Sequence, residues 1–323
     1  MDTKDPVTPL KILHIARNDP AGSVYRLVRA QRMAGHRSRM WTWERKYSCR
    51  FPEDIYGTNG PGFGADMIPQ ADVIHLHLCD DSAPYQMALE ADVPVLVAHL
   101  HGEDWMEHTL RLGSCLAFVS TPDLLEVVRK DRDDESIPLP IRAQDMAAPM
   151  PLHIPHVIHL SDYAPTSPPP FDGTLLVAHA PTNRARKGTD EVVKALKDVP
   201  DVELLVAENM SHAETLEHLR RGHVVLDQWT RGWGVTTVEA MAMGRMPIAN
   251  LVGDAQYLRH ASVAHAQSIP ELVTTLKFMR DCSPSLDWRS AGPSCREHME
   301  RHYPDPVTIA EMTIAAYQER MTP

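Results

Sequence analysis

Short apolar runs alternate with helix-patterned stretches along this chain, and that alternation confines it to parallel sheets built from βαβ units. The first half supplies Lys11-Ile-Leu-His-Ile-Ala16, Arg39-Met-Trp-Thr-Trp43, Val73-Ile-His-Leu-His-Leu78, Pro94-Val-Leu-Val-Ala-His99 and Leu116-Ala-Phe-Val-Ser120 as strands of one doubly wound sheet. Between the first two runs Val24, Leu27 and Val28 repeat at helical spacing, and Gly35 stands where a C-terminal glycine would stop the segment. The first crossover is therefore expected to be a helix.

The stretch Ser161-Asp-Tyr-Ala-Pro-Thr-Ser-Pro-Pro-Pro170 holds four prolines in ten residues, which prevents a continuous helix or central strand and marks a stiff linker. Beyond it the alternation restarts with Thr174-Leu-Leu-Val-Ala-His179, Val202-Glu-Leu-Leu-Val-Ala207, His223-Val-Val-Leu-Asp227 and Met246-Pro-Ile-Ala-Asn250. Residues 1–163 and 164–323 are thus expected as two domains, a division that suits a length of 323 residues. The segment from Pro306 to Met321 reads as a terminal helix able to pack back on the N-terminal domain. The fold class is α/β, with two Rossmann-like domains facing a central cleft. Ligands of such sheets sit beyond the carboxyl ends of the strands, so informative residues are sought just after strands.

Composition narrows the function classes. Hydrophobic residues at 43% and charged residues at 23% make an ordinary globular mixture. A net charge of -11 disfavours a broad electrostatic grip on nucleic acid. Cys49, Cys79, Cys115, Cys282 and Cys295 include no Cys-x-x-Cys pair, so neither a disulfide framework nor a thiolate zinc site is suggested. No apolar run reaches the roughly 18–20 residues of a membrane span, and Met1-Asp-Thr-Lys-Asp-Pro lacks the apolar core of a signal peptide. The expected location is cytoplasmic.

Two stretches carry chemistry. After His179 comes Ala180-Pro-Thr-Asn-Arg184-Ala-Arg186-Lys187-Gly188-Thr189-Asp190, followed by Val192, Val193 and Leu196 at helical spacing. Three cations meet a helix entrance with Thr189 as its expected N-cap, a setting suited to a diphosphate, although a solvated basic loop has the same composition. After Asp227 comes Gly232-Trp233-Gly234-Val235-Thr236-Thr237-Val238-Glu239-Ala-Met-Ala-Met-Gly244. Its glycines allow close approach of the backbone to a ligand, and the amides of a helix starting near Thr236 can face an anion. Glu239, expected in the first turn, is placed to accept from ribose hydroxyls. Thr236 and Glu239 also have the spacing of a capping box, which spacing alone favours.

With these residues the sequence resembles the family-four group of retaining glycosyltransferases of the GT-B fold, especially bacterial members with a histidine-alanine-proline loop followed by lysine-glycine-threonine. Here those are His179-Ala180-Pro181 and Lys187-Gly188-Thr189, and the stretch from Gly232 to Pro247 matches the donor-binding region. The resemblance implies that Arg184 and Lys187 contact the donor diphosphate, that amides near Gly234, Val235 and Thr236 contact phosphate, and that Glu239 binds ribose. It implies retention of configuration and a nucleotide-sugar partner; with Arg184, Lys187 and helix-terminal amides to neutralise the leaving diphosphate, and no paired-carboxylate motif there, no cofactor and no metal are expected. In the N-terminal half it places Gly22, in Asn18-Asp-Pro-Ala-Gly22-Ser23, near the sugar and acceptor, and His101, in His99-Leu-His101-Gly102-Glu103-Asp104-Trp105, facing the donor. His101 is the expected polar active-site residue.

Many family members carry a glutamate eight residues before the one matching Glu239, where it contacts the transferred sugar, and this chain has Arg231. Asp227 or Gln228 could take its place. The donor sugar stays open, and a non-catalytic nucleotide-sugar-binding relative is one alternative. A metal-dependent hydrolase is another, because His75 and His77, like His99 and His101, lie two apart on strands and project from one face. The acceptor is equally open: a glycan, a lipid-linked sugar, a small molecule or a modified nucleic-acid base.

Overall fold

The computed structural model describes residues 8–19, 21–44, 56–57, 66–77, 83–101, 116–121, 124–125, 150–229, 232–251, 256–258, 260–282 and 288–322. By contacts the chain forms two compact units, one within Met1–Ser120, Leu124–Val157 and Pro306–Pro323, the other within Thr121–Asp123 and Ile158–Asp305. The break thus follows Val157, where the sequence pattern had placed the boundary after residue 163.

The first unit holds β1 (Lys11–Ala16), α1 (Ser23–Met33), β2 (Arg37–Trp41), β3 (Tyr56–Gly57), β4 (Val73–His77), α2 (Ala83–Leu89), β5 (Val95–Leu100), β6 (Leu116–Val119) and β7 (Leu152–His153). These strands form one parallel sheet in the order β3-β2-β1-β4-β5-β6-β7. Helix α1 ends in a Schellman motif: His36 N–H bonds the Gln31 carbonyl, Gly35 N–H bonds that of Arg32, and Gly35 has φ +91°. One sheet face buries Leu13, Ile15, Trp41, Ile74 and Leu76 with Tyr85 and Ala88 of α2. On the other, Ala16 and Met40 meet Val24 and Val28 of α1.

In the second unit β8 (Leu175–His179), α3 (Thr189–Leu196), β9 (Val202–Val206), α4 (His212–Arg220), β10 (Val224–Leu226), α5 (Val235–Ala242), β11 (Met246–Ala249) and β12 (Ala264–His265) precede α6 (Ile269–Cys282) and α7 (Trp288–His302). Its parallel sheet runs β12-β11-β10-β8-β9. Leu175, Val177, Val224, Leu226 and Ile248 are buried with Val192 and Leu196 of α3 and Leu272 and Leu276 of α6. The start of the proline-rich segment is fastened to this unit by Arg245, only 1% exposed, whose guanidinium donates to the carbonyls of Thr166, Ser167, Arg220 and Gly222. Burial lowers its pKa to about 10, so it stays charged at neutral pH, solvated by carbonyl dipoles. The final helix, α8 (Pro306–Met321), packs along α1 in the first unit.

Candidate functional site

In the second sheet the chain steps from β8 to β9 on one side and then to β10 on the other, so β8 and β10 flank the switch point where doubly wound sheets bind ligands. His179 and Leu226 are paired there, which brings the loops that follow them side by side. Asp227 joins these loops. One carboxylate oxygen accepts from Lys187 Nζ at 2.6 Å, and the other accepts from Gly234 N–H at 2.7 Å and Thr237 Oγ1 at 2.8 Å. Burial alone would raise the Asp227 pKa, but the Lys187 charge and these hydrogen bonds hold it below the usual carboxylate range.

The N-cap of α3 is Gly188, left-handed at φ +62°, and not Thr189. The Thr189 hydroxyl is committed elsewhere. His179 Nδ1–H donates to the Leu226 carbonyl at 2.9 Å, leaving Nε2 to accept from Thr189 at 2.9 Å. Burial keeps this imidazole neutral, with its pKa lowered to about 4. A Cβ on Gly188 would lie 2.8 Å from the Trp229 indole. Gly188→Ala combines that collision with left-handed strain, and a stability loss of about 2 kcal/mol or more is expected in urea denaturation; an unchanged midpoint would show that the Trp229 contact yields at no cost.

Gly234 caps α5 without a side chain, so Val235 and Thr236 stand at the helix entrance uncapped by it. Glu239 lies in the second turn, not the first, and forms no capping box with Thr236. Its Oε1 accepts from Tyr163 Oη at 3.0 Å and from His212 Nε2 at 2.7 Å. This is a buried carboxylate, 4% exposed, aimed by two partners. His212 is the first residue of α4, within a Ser211/Glu214 capping box, and neither it nor Tyr163 carries a local sequence signal for the role. Arg184 pairs with Asp190 at 2.6 Å and Glu208 at 2.9 Å, so its charge is shared with two carboxylates. Arg231 lies outside the described residues.

In the first sheet β1 and β4 flank the equivalent switch point. Gly22 is the left-handed N-cap of α1 at φ +68°. The buried Asp19 carboxyl accepts from Tyr25 N–H at 2.9 Å and also bonds the amides of Ser23 and Val24, so the chain's own acid occupies this helix entrance, with burial raising its pKa against those hydrogen bonds. Asp19 lies three residues ahead of the Gly22 N-cap, outside the position at which a capping aspartate is read from sequence. His101, just past β5, accepts at Nδ1 from Ser120 Oγ at 2.9 Å and lies 3.0 Å through Nε2 from His77 Nδ1. Burial lowers its pKa to about 4. Glu103 and Asp104, the rival bases beside it, fall outside the described residues.

His75, His77, His99 and His101 do share one sheet face, as the hydrolase alternative requires, and His14 joins them. Triplets His14/His75/His77 and His77/His99/His101 each bring nitrogens within 4.8 Å. The rings, however, lie in two layers. His14, His77 and His101 meet edge to edge, as do His75 and His99, while His75 stacks on His77 at 4.3 Å and His99 on His101 at 4.5 Å. Each triplet therefore takes one ring from the other layer, which turns its π face to any ion held in the plane of its neighbours, whereas a metal binds the in-plane lone pair.

This two-sheet architecture is shared with solved glycosyltransferase structures. HepE of Anabaena, solved with UDP and glucose, matches with a TM-score of 0.64 at 15% identity, over 96% of this chain and 100% of that one. A glycosyltransferase of Rickettsia africae matches at 0.64 and 10% identity over 97% and 99% of the two chains. The catalytic domain of starch synthase IV of Arabidopsis thaliana, bound to ADP and acarbose, matches at 0.64 and 11% identity over 98% and 100%. The fold is GT-B. No protein-family model and no curated protein matches the chain. Within this GT-B chain, Lys187, Gly234 and Thr237 gather on Asp227, with Glu239 further along the same helix. No helix among the described residues is long and apolar enough to cross a membrane.

Proposed function

We propose that the chain is a glycosyltransferase that binds a nucleotide-diphosphate sugar in its second unit and passes the sugar to an acceptor hydroxyl with retention of configuration. The observation that carries this reading is the Lys187–Asp227–Gly234 junction at the switch point, beside a helix entrance capped by glycine and a buried carboxylate oriented by His212 and Tyr163. The cation and the amides of Val235 and Thr236 suit a diphosphate, and Glu239 suits vicinal ribose hydroxyls. HepE with UDP-glucose and starch synthase IV with ADP are structures of the same fold holding such ligands.

Retention suits the first unit. An inverting transferase needs a base opposite the leaving group. His101 is poorly suited to that task, being neutral down to about pH 4 with both nitrogens engaged. In a retaining reaction the departing phosphate takes the acceptor proton on the same face, and the protein orients reactants and stabilises leaving-group charge. Lys187, Arg184 and the helix-entrance amides supply that positive potential, so no divalent cation is required.

Isothermal titration with UDP, ADP, GDP and UDP-glucose in EDTA tests this reading. Lys187→Ala removes a charge-assisted contact and is expected to weaken the preferred nucleotide by about ten- to a hundredfold in a folded protein. Unchanged affinity in that variant, or binding only after magnesium or manganese is added, overturns the diphosphate assignment.

A further inference from the structure

Five histidines of the first unit, His14, His75, His77, His99 and His101, belong to a closed circuit of hydrogen bonds that runs in one direction. Thr313 Oγ1 donates to the Ala310 carbonyl at 2.7 Å, so it accepts from the Gln31 amide nitrogen at 3.1 Å. Gln31 Oε1 therefore faces His14 Nε2 at 2.7 Å and Ser38 Oγ at 2.8 Å, and an oxygen can only accept, so His14 carries its proton on Nε2. His14 Nδ1 must then accept from His77 Nε2–H at 2.9 Å, and His77 Nδ1 from His101 Nε2–H at 3.0 Å. His101 Nδ1 accepts from the Ser120 hydroxyl at 2.9 Å, whose oxygen accepts from His99 Nε2–H at 3.1 Å. His99 Nδ1 accepts from His75 Nε2–H at 3.2 Å, and His75 Nδ1 from the Tyr317 hydroxyl at 2.7 Å. Tyr317 Oη accepts from Gln31 Nε2–H at 3.1 Å, and the circuit returns to its start.

Every imidazole nitrogen has a partner within the circuit, and all five rings are neutral Nε2–H tautomers. Nothing within the imidazoles or Ser120 selects this direction, since reversing every proton would satisfy the same contacts with Nδ1–H tautomers. Only the Gln31 amide, oxygen on one side and nitrogen on the other, cannot reverse, because Thr313, its own proton given to the Ala310 carbonyl, accepts from the nitrogen.

We propose that Gln31 is a positioning residue for His101: its amide sets the direction of the circuit and so presents His101 as an uncharged Nε2–H tautomer whose Nδ1 is occupied by Ser120. This rests on the donor-facing place given to His101 above. A histidine so held is an orienting surface for a sugar and is unable to drift into a proton-accepting form.

Two-bond proton–nitrogen correlation spectra of the full chain with 15N-histidine read the tautomers directly. Wild type is expected to show His14, His75, His77, His99 and His101 all as Nε2–H at neutral pH. Gln31→Met, which neither donates nor accepts in the amide's manner, should let the Nδ1–H form appear at His101. Tyr317→Phe opens the circuit but leaves Gln31 facing His14, so His101 should keep Nε2–H. In transfer assays Gln31→Met should lower kcat about tenfold, the scale of one misdirected hydrogen bond, with donor affinity unchanged. A wild-type imidazolium or Nδ1–H form among the five, a purely Nε2–H His101 in Gln31→Met, or stoichiometric zinc in protein purified without added metal overturns the proposal. The wild-type spectrum judges it even where a variant does not fold, and absence of nucleotide binding would instead remove the functional reading while the tautomer result stands.

Discussion

Acidification from pH 7 to pH 5.5 is expected to cost the protein about 6 kcal/mol of folding stability, enough to bring an ordinary domain close to unfolding. Burial lowers the pKa of His14 and His101 to about 4 and of His75, His77 and His99 well below the ordinary value of 6.5. Their folded pKa values lie below the unfolded one, so the unfolded chain binds more protons across this window. Stability is fully present above pH 6.5 and is lost as pH falls towards 4. Each of the five contributes about 1 kcal/mol of loss over the stated interval, and His179 of the second unit, its pKa likewise lowered to about 4, adds about as much. The hydrogen-bond circuit explains why none of the five titrates early: an added proton on His14, His77 or His99 sets two N–H groups against each other, and one on His75 or His101 displaces the hydroxyl proton of Tyr317 or Ser120. Urea denaturation at pH 7, 6 and 5.5 and constant ionic strength checks this, and a midpoint that does not move would contradict the neutral, buried state of the cluster.

Asp227→Ala should be the most damaging single substitution in the second unit, with a loss of about 3 to 5 kcal/mol at pH 7. The carboxylate is fully buried and receives Lys187, Gly234 and Thr237 at once. Its removal strands an ammonium whose side chain is only 17% exposed, together with a buried hydroxyl and an amide. The partial access of Lys187 to water places the effect towards the lower end. Asp227→Asn keeps the shape and part of the hydrogen bonding, and a smaller loss of about 1 to 2 kcal/mol follows. Both should impair nucleotide binding, since Asp227 ties the loop after β8 to the entrance of α5. Chemical denaturation of the two variants checks the ranking; an alanine variant within 1 kcal/mol of wild type would mean that the loops are held by other contacts.

The strands were legible because their apolar runs are compact and bounded: β1 spans Lys11–Ala16 as the pattern indicates, and β8, β9 and β11 differ by single residues at their ends. Boundaries at helix entrances were less legible. Thr189 looks like an N-cap from its neighbours alone, but His179, ten residues earlier, claims its hydroxyl, and Gly188 supplies the left-handed turn. Glu239 looks like half of a capping box until helix α5 is seen to begin at Val235, which carries the carboxylate past the first turn to Tyr163 and His212. Asp227, considered as a substitute contact for the transferred sugar, is instead spent on the loops themselves. The roles of His14 and Gln31 were not legible at all. They depend on the register that sets His14 beside His75, and on side chains from α8 nearly 300 residues along the chain, as the separation of 286 between Gln31 and Tyr317 shows.

That separation bears on how the protein comes into being on the ribosome. Domains commonly fold as they emerge, N-terminal first, at roughly 5 to 20 residues per second. Here the first unit draws Thr313 and Tyr317 from the last helix to complete its polar interior. After Ser120 appears, nearly 200 further residues, including the whole second unit, must be made before those hydroxyls arrive, an interval of roughly 10 to 40 seconds. Throughout it the Gln31 amide nitrogen and His75 Nδ1 await the hydroxyls of Thr313 and Tyr317, so the part made first is the part finished last.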